Sequence, residues 1–429
     1  MTKFSRRQFM ITAGATAAGT LLAHGCSSSP DTTTTASSPT PAVSLSPADA
    51  PEVTTAKLGF IALTDSAPLI IAKEKGYFEK HGMQDVEVAK QASWAVTRDN
   101  LALGSGGGGI DGAHILSPMP YLISTGKITD GKKIPMYILA RLNVDGQCIS
   151  VANAYKDLDV RLNSALLKGK AKKFAVTFPG GTHDLWMRYW LAAGGINPDT
   201  EVSTIVVPPP QMVANMKTGT MDAFCVGEPW NAQLVNQNVG YTAFTTGELW
   251  NNHPEKAFAM RADWVDKNPK AAKALLMAVQ EAQIWCDQME NKEEMCEILS
   301  KRQWFKVPAK DIVERAKGNF NYGDGRDVKN SPHLMKFWSE NASYPYKSHD
   351  LWFLTEDIRW GRLPADTDTK QLIDAVNRED LWKEAAKAIG QSAAIPQSTS
   401  RGVETFFDGV KFDPDNPSAY LQSLKIKKA

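Results

Sequence analysis

Strand, helix and strand follow one another twice in this chain, and few architectures accommodate that order. "KLGFIAL" reads as a strand, "SAPLIIAKEKGYFEKHG" as a helix ended by Gly82, and "DVEVAKQ" as a second strand. A helix between two strands at this spacing predicts parallel pairing and an α/β unit. Further on, "KKFAVTF", a helix carrying His183 and "STIVVPPP" repeat the order. "PPPQMVANMKTG" then reads as a helix with proline at its entry and Gly219 at its exit, leading into the strand "MDAFCV". Two separated units of this kind predict an α/β protein of two lobes. From Pro269 the text turns helical, and "NPKAAKALLMAVQEAQIWCDQM" is its longest clear helix.

Ahead of these units lies a segment of a different kind. "MTKFSRRQFMITAGATAAGTLLAHGC" runs from a basic start through an apolar middle to small residues, which is the pattern of a signal peptide. "SRRQFM" resembles a twin-arginine export signal. Gly25-Cys26 resembles a lipoprotein processing site, with Cys26 as the acylated residue. Ala23 stands where such sites carry leucine, so cleavage nearby with Cys26 lost or free is the alternative. "SSSPDTTTTASSPTPAVSLSPADAPEVTT" has almost no large apolar residue and reads as a disordered tether. The expected organisation is a leader at 1–26, a tether at 27–55 and a folded region at 56–429. Within the last, lobe 1 takes about 56–150 plus 260–429 and lobe 2 about 151–259.

A formal charge of +1 over 429 residues argues against a nucleic-acid partner. The leader holds three of the bases and no acid, leaving 45 bases against 47 acids beyond it. Cys148, Cys225, Cys286 and Cys296 sit in apolar or helical contexts without a metal-binding spacing. Buried free thiols are the simplest reading, with a Cys286–Cys296 bridge left open to spatial proximity. No GxSxG, HExxH, Walker lysine or GxGxxG occurs in its proper context. "GSGGGGIDGAH" lacks the Lys-Ser/Thr ending of a phosphate loop, and "GDGRDVKN" is not a twelve-residue calcium loop. Neither a metal nor a cofactor is expected.

What does stand out is a set of hydrogen-bond donors at the ends of elements. Trp94 follows the second strand, and Gln147 follows a glycine-containing turn. His183 opens a helix behind a Gly-Gly pair, with Thr182 as the expected N-cap and Asp184 in the first turn. Gly227 ends a strand before Pro229, and Lys256 lies in "WNNHPEKAFAM". Open α/β sheets gather ligands at the carboxyl ends of their strands. Each residue also has a plainer reading: core for Trp94, turn for Gln147, backbone requirement for Gly227 and solvated cation for Lys256. For His183 the positive end of the helix dipole favours an anion.

"APLIIAKEKGYFEKHGM" resembles the opening of the periplasmic binding proteins for nitrate, sulfonates and related solutes. "SWAVTRDNLALGS", "GGIDGAHILSPMPYL", "TFPGGTHDLWMRYWLAA", "PPPQMVANMKTGTMDAFCVGEPWNA", "GELWNNHPEKA" and "SYPYKSHDLWFLTEDIRWG" are more narrowly similar to the nitrate-binding lipoproteins of cyanobacterial nitrate/nitrite ABC importers. The resemblance covers nearly the whole chain beyond the leader. It implies a C-clamp of two α/β lobes with nitrate in the cleft, held by Trp94, Gln147, His183, Gly227 and Lys256. It also implies a monomer, lipid-anchored at the periplasmic face of the plasma membrane, that delivers nitrate and nitrite to ABC permease subunits.

That ligand set suits the ion. Nitrate is a planar monoanion with only acceptor oxygens, so a site made entirely of donors is expected. Charge-assisted bonds contribute about 1.5–3 kcal/mol each, which puts His183 and Lys256 foremost. A bicarbonate-binding sister protein of the same fold is the nearest alternative. The resemblance gives that sister glutamine and glutamate in place of His183 and Lys256, with calcium restoring the charge. A thiamine-pyrimidine-synthase-like enzyme and the detached ligand domain of a two-component sensor are the others, the enzyme lacking a catalytic group here.

Overall fold

The computed structural model describes residues 50–428. The leader, Cys26 and most of the tether lie outside the described residues. Among the described residues, ten strands form two five-stranded sheets, beside two short two-stranded hairpins. The first holds β1 (Thr55–Phe60), β2 (Asp85–Lys90), β3 (Gly112–Leu116), β4 (Met136–Arg141) and β10 (Lys256–Arg261), ordered β2-β1-β3-β10-β4. The second holds β5 (Gln147–Ala152), β6 (Lys173–Val176), β7 (Ser203–Val206), β8 (Ala223–Gly227) and β9 (Gly240–Thr245), ordered β7-β6-β8-β5-β9. β1 pairs in parallel with β2 and β3, and β6 with β7 and β8, as the twice-repeated strand–helix–strand order predicts.

Each sheet carries one strand against the grain, in the fourth position. β10 runs antiparallel to β3 and β4, and β5 antiparallel to β8 and β9. These are the strands that begin just after the chain changes sheets, at 142–146 and at 246–255. An antiparallel strand starts at the edge where its parallel neighbours end. The first residues of β5 and β10 therefore lie at the carboxyl edge of their sheets, where ligands gather in open α/β sheets.

Both crossings fall a few residues before the sequence-based lobe boundaries. The C-terminal third also departs from a simple assignment to lobe 1. The helix Pro269–Asp287 packs on the first lobe against Ala67–Glu74. By contrast Trp352, Phe353, Phe406, Phe412 and Tyr420 share a core cluster with the second sheet's helix Thr182–Ala193. Trp186 stacks on Trp352 with centroids 5.0 Å apart, and Tyr189 lies 4.9 Å from Phe406. The contact pattern of such rings contributes about 0.5–1.5 kcal/mol per pair beyond their burial. The helix that carries His183 is thus buttressed by residues more than 150 positions later in the chain.

Three local expectations change. The predicted helix "SAPLIIAKEKGYFEKHG" is broken into Ala67–Glu74 and Tyr77–Lys80, because Gly76 adopts φ 72°, a left-handed conformation that interrupts the helical ladder. Gly181, not Thr182, caps the helix of His183, and Thr182 becomes its first residue. Cys148, Cys225, Cys286 and Cys296 are all buried and unpaired, so the Cys286–Cys296 bridge is not formed. Among the described residues, no helix is long and apolar enough to cross a membrane.

Candidate functional site

The five residues singled out in the sequence meet at the facing edges of the two sheets. Gln147 begins β5 and stands opposite Gly227, the last residue of β8. Lys256 begins β10 opposite Leu116, the last residue of β3. Trp94 opens the helix Trp94–Leu103 beyond the end of β2, where the Ser93 hydroxyl accepts from the Val96 N–H as its cap. His183 follows β6 as the second residue of its helix. Trp94, Gln147, His183 and Lys256 are completely buried. Gly227 is glycine because space demands it: a β-carbon there would stand 2.6 Å from Gln147 Oε1 and 3.2 Å from Asp65 Oδ2.

A continuous hydrogen-bond network joins the lobes. His183 Nε2 lies 2.7 Å from Gln147 Oε1, and its Nδ1 lies 2.6 Å from the Thr177 hydroxyl. The Thr177 O–H can donate to Nδ1, which leaves Nε2–H to donate to Gln147. Gln147 Nε2 donates to Asp65 Oδ2 at 3.0 Å. Asp65 Oδ2 also faces Lys256 Nζ at 2.9 Å, while His114 Nε2 lies 2.5 Å from Asp65 Oδ1. Lys256 Nζ reaches Glu255 Oε1 at 3.1 Å and stands 3.5 Å from His183 Nε2. It lies 5.9 Å from the centre of the Trp94 ring. Two side chains keep an unused polar atom in this buried setting, the indole Nε1 of Trp94 and Oε2 of Glu255.

Burial and proximity set the charges. Burial would raise Asp65, yet Lys256 and His114 beside it hold it well below the usual carboxylate range. Burial pushes Glu255 up to about 7, against the opposing pull of Lys256 and Thr182. Lys256 is held above its ordinary value by Asp65 and Glu255 in spite of its burial. His183 is driven far below its ordinary range by burial and by the Lys256 ammonium, so it is a neutral donor. Of the two residues put foremost for charge-assisted bonds, only Lys256 carries a charge, which settles the open protonation state of His183 as neutral.

The all-donor site expected from the sequence is therefore incomplete as a description. Asp65 and Glu255 stand among the donors because a buried ammonium is costly without a counter-charge. Asp65 belongs to "LTDSAPL" just after β1, a strand end of the same kind as those that carry the donors, so its position is legible once an acceptor is expected there. Glu255 adjoins Lys256 in the chain, but nothing in "PEKA" indicates that both side chains turn inward. His114 and Thr177 carried no local signal, and Thr182, expected only as a helix cap, instead donates to Glu255.

Two α/β lobes with equivalent strand orders, sharing a buried charged cluster at their facing edges, define a two-lobed solute-binding protein of the periplasmic clamp type. The comparisons are specific. Residues 49–300 match the NMT1-like family. The chain is 65% identical to the nitrate/nitrite binding protein NrtA of Nostoc, over 100% of both chains. It is 48% identical to the bicarbonate-binding protein CmpA of Synechococcus, over 99% of this chain and 98% of that one. The crystal structure of the periplasmic nitrate-binding protein NrtA from Synechocystis superposes with a TM-score of 0.87 at 68% identity, covering 88% of this chain and all of the other. The chain belongs to the NMT1-like family.

Proposed function

We propose that this protein is the extracytoplasmic solute-binding component of an ABC importer, capturing nitrate and nitrite for nitrogen assimilation. Its ligand site is Trp94, Gln147, His183, Gly227 and Lys256, and it performs no chemistry on the anion. The observation that carries this reading is a wholly buried lysine at the junction of two lobes, paired with Asp65 and Glu255 and flanked by the neutral donors His183 and Trp94, the indole of which has no acceptor. On binding, nitrate oxygens replace the internal partners of these donors. The names of the relatives at 65–68% identity support nitrate as the ion. Cys26 supplies a lipid anchor, the tether spaces the clamp from the bilayer, and the monomer docks on its permease. Calorimetric titration of the purified protein with nitrate, nitrite, bicarbonate and sulfate tests the ligand, and preference for any ion but nitrate or nitrite overturns it. Release of a Cys26→Ser variant into the soluble fraction tests the anchor, and unchanged membrane retention overturns it.

Bicarbonate is the second reading, and one observation favours it. Asp65 and Glu255 are acceptors within the cluster, and bicarbonate, unlike nitrate, has a proton to give an acceptor. The same titration separates the two.

A further inference from the structure

We propose that Glu255 takes up a proton as the anion binds, and that its protonated carboxyl joins Trp94, Gln147, His183 and Lys256 as a donor to the bound oxygens. This rests on the nitrate reading and specifies how the site tolerates its own carboxylates.

The geometry of Glu255 is lopsided. Oε1 accepts from the Thr182 hydroxyl at 2.5 Å and from Lys256 Nζ at 3.1 Å, and lies 3.3 Å from His183 Nε2. Oε2 is buried and has no partner at all. An ionised oxygen left bare in a dry interior is costly, whereas a protonated one needs only an acceptor nearby. An incoming anion is such an acceptor.

Charge counting points the same way. With Glu255 ionised, Lys256 faces two carboxylates, and a monoanion would enter a cluster already net negative. With Glu255 protonated, Lys256 and Asp65 balance, and every other group toward the ligand is a donor. The groups around Glu255 are Lys256 on its own strand edge, Thr182 and His183 on the facing helix, Asp65 after β1 and Cys225 on β8. His183 is neutral, the Cys225 thiol is pushed far up by burial, and Asp65 is held ionised by Lys256 and His114. Glu255 is the group poised near neutrality, at about 7, and an added negative charge raises it further. The proton comes from solvent and no bond to the anion is made. A protonated Glu255 also removes an acceptor that bicarbonate would use, which turns the site toward nitrate.

The test is nitrate titration calorimetry near pH 8 in two buffers of different ionisation enthalpy. The wild-type protein should take up close to one proton per nitrate, and its Kd should rise by up to about tenfold per pH unit above about 7. Glu255→Gln should bind nitrate with little proton uptake and a flat pH profile. Independently of that variant's folding, the nitrate-minus-free infrared difference spectrum should gain the C=O stretch of a protonated carboxyl. Nitrate binding without proton uptake, uptake retained in Glu255→Gln, or a spectrum showing an imidazolium instead would overturn the inference. A protein that binds no nitrate overturns the reading beneath it, a result distinct from these.

Discussion

Lys256 Nζ lies 2.9 Å from Asp65 Oδ2, and neither side chain has any solvent exposure. In a dry interior such a pair is not an ordinary stabilising bridge. Its worth comes from what happens when one partner is removed, which costs about 3–5 kcal/mol because the other is left as an uncompensated buried charge. Asp65 thus acts as the counter-ion that keeps a wholly buried lysine charged, as the proposed anion site requires.

Lys256→Ala should accordingly lose both binding and stability. Nitrate loses its only full positive charge, at a cost of about 2–4 kcal/mol. The fold loses a comparable amount, since Asp65 and Glu255 are left facing each other. Calorimetry checks the first and thermal melting the second. Nitrate affinity near the wild-type value would remove Lys256 from the site.

The two carboxylates should respond to pH with opposite signs. Asp65 is depressed in the folded state, so the stability it contributes is present above its unfolded value near 3.8 and is lost as pH falls below that. Glu255 is raised from 4.5 to about 7, so ionising it costs stability that grows as pH rises through that window, up to about 3 kcal/mol. Asp65→Asn should therefore lower the melting temperature at neutral pH, with the difference closing in acid. Glu255→Gln should raise it above about pH 7 and change little near pH 4. Melting curves across pH decide this, and parallel curves for the two variants would refute the charge assignment.

Trp94→Phe separates the donor from the ring. The indole Nε1 has no acceptor in the folded protein, so its loss should leave stability unchanged or slightly higher. Nitrate affinity should nonetheless fall by about 0.5–1.5 kcal/mol, the worth of one neutral hydrogen bond. Unchanged affinity would mean that the indole serves only packing against His114, whose ring centre lies 5.3 Å away.

Gly227→Ala probes a tight approach in the candidate site. Its methyl group would sit 2.6 Å from Gln147 Oε1, forcing the amide off His183 Nε2. Overpacking of this kind costs about 1–3 kcal/mol of stability, and displacement of Gln147 should weaken nitrate as well. A variant with full affinity and an unshifted melting curve would show that the site yields more easily than its spacing suggests.

Much of this was legible in the text, and the exceptions have physical reasons. Parallel pairing and two lobes follow from element order, which is local. The reason Gln147 and Lys256 meet at the facing sheet edges is not local, since each opens an antiparallel strand whose partners lie far along the chain. Their motifs carried the resemblance, while strand topology explains the position. Asp65 and Glu255 give no sequence signal of an anion site, because an acid opposes an anion on charge alone, and burial of an acid beside a lysine is a tertiary fact. The helix break at Gly76 and the capping by Gly181 were lost for a smaller reason, that propensity locates a terminus only to within a few residues.

Nitrate and bicarbonate are ions of nearly the same size, shape and charge, and differ in one proton. Bicarbonate carries a proton that wants an acceptor, and nitrate carries none. A site with Lys256 charged, His183 neutral and Glu255 protonated presents donors, so nitrate should bind well ahead of bicarbonate in calcium-free buffer. Replacing both residues, His183→Gln with Lys256→Glu, reverses the electrostatics: Asp65, Glu255 and a new glutamate would share one buried cluster with no ammonium. Three such oxygens-only side chains are a poor host for an anion and a good one for a hard divalent cation. The double variant should therefore lose nitrate altogether and gain a calcium-dependent rise in melting temperature that the wild-type protein lacks. Bicarbonate binding should emerge only with that calcium. Nitrate affinity surviving in the double variant, or wild-type protein binding bicarbonate as tightly as nitrate without calcium, would refute the electrostatic basis of the choice.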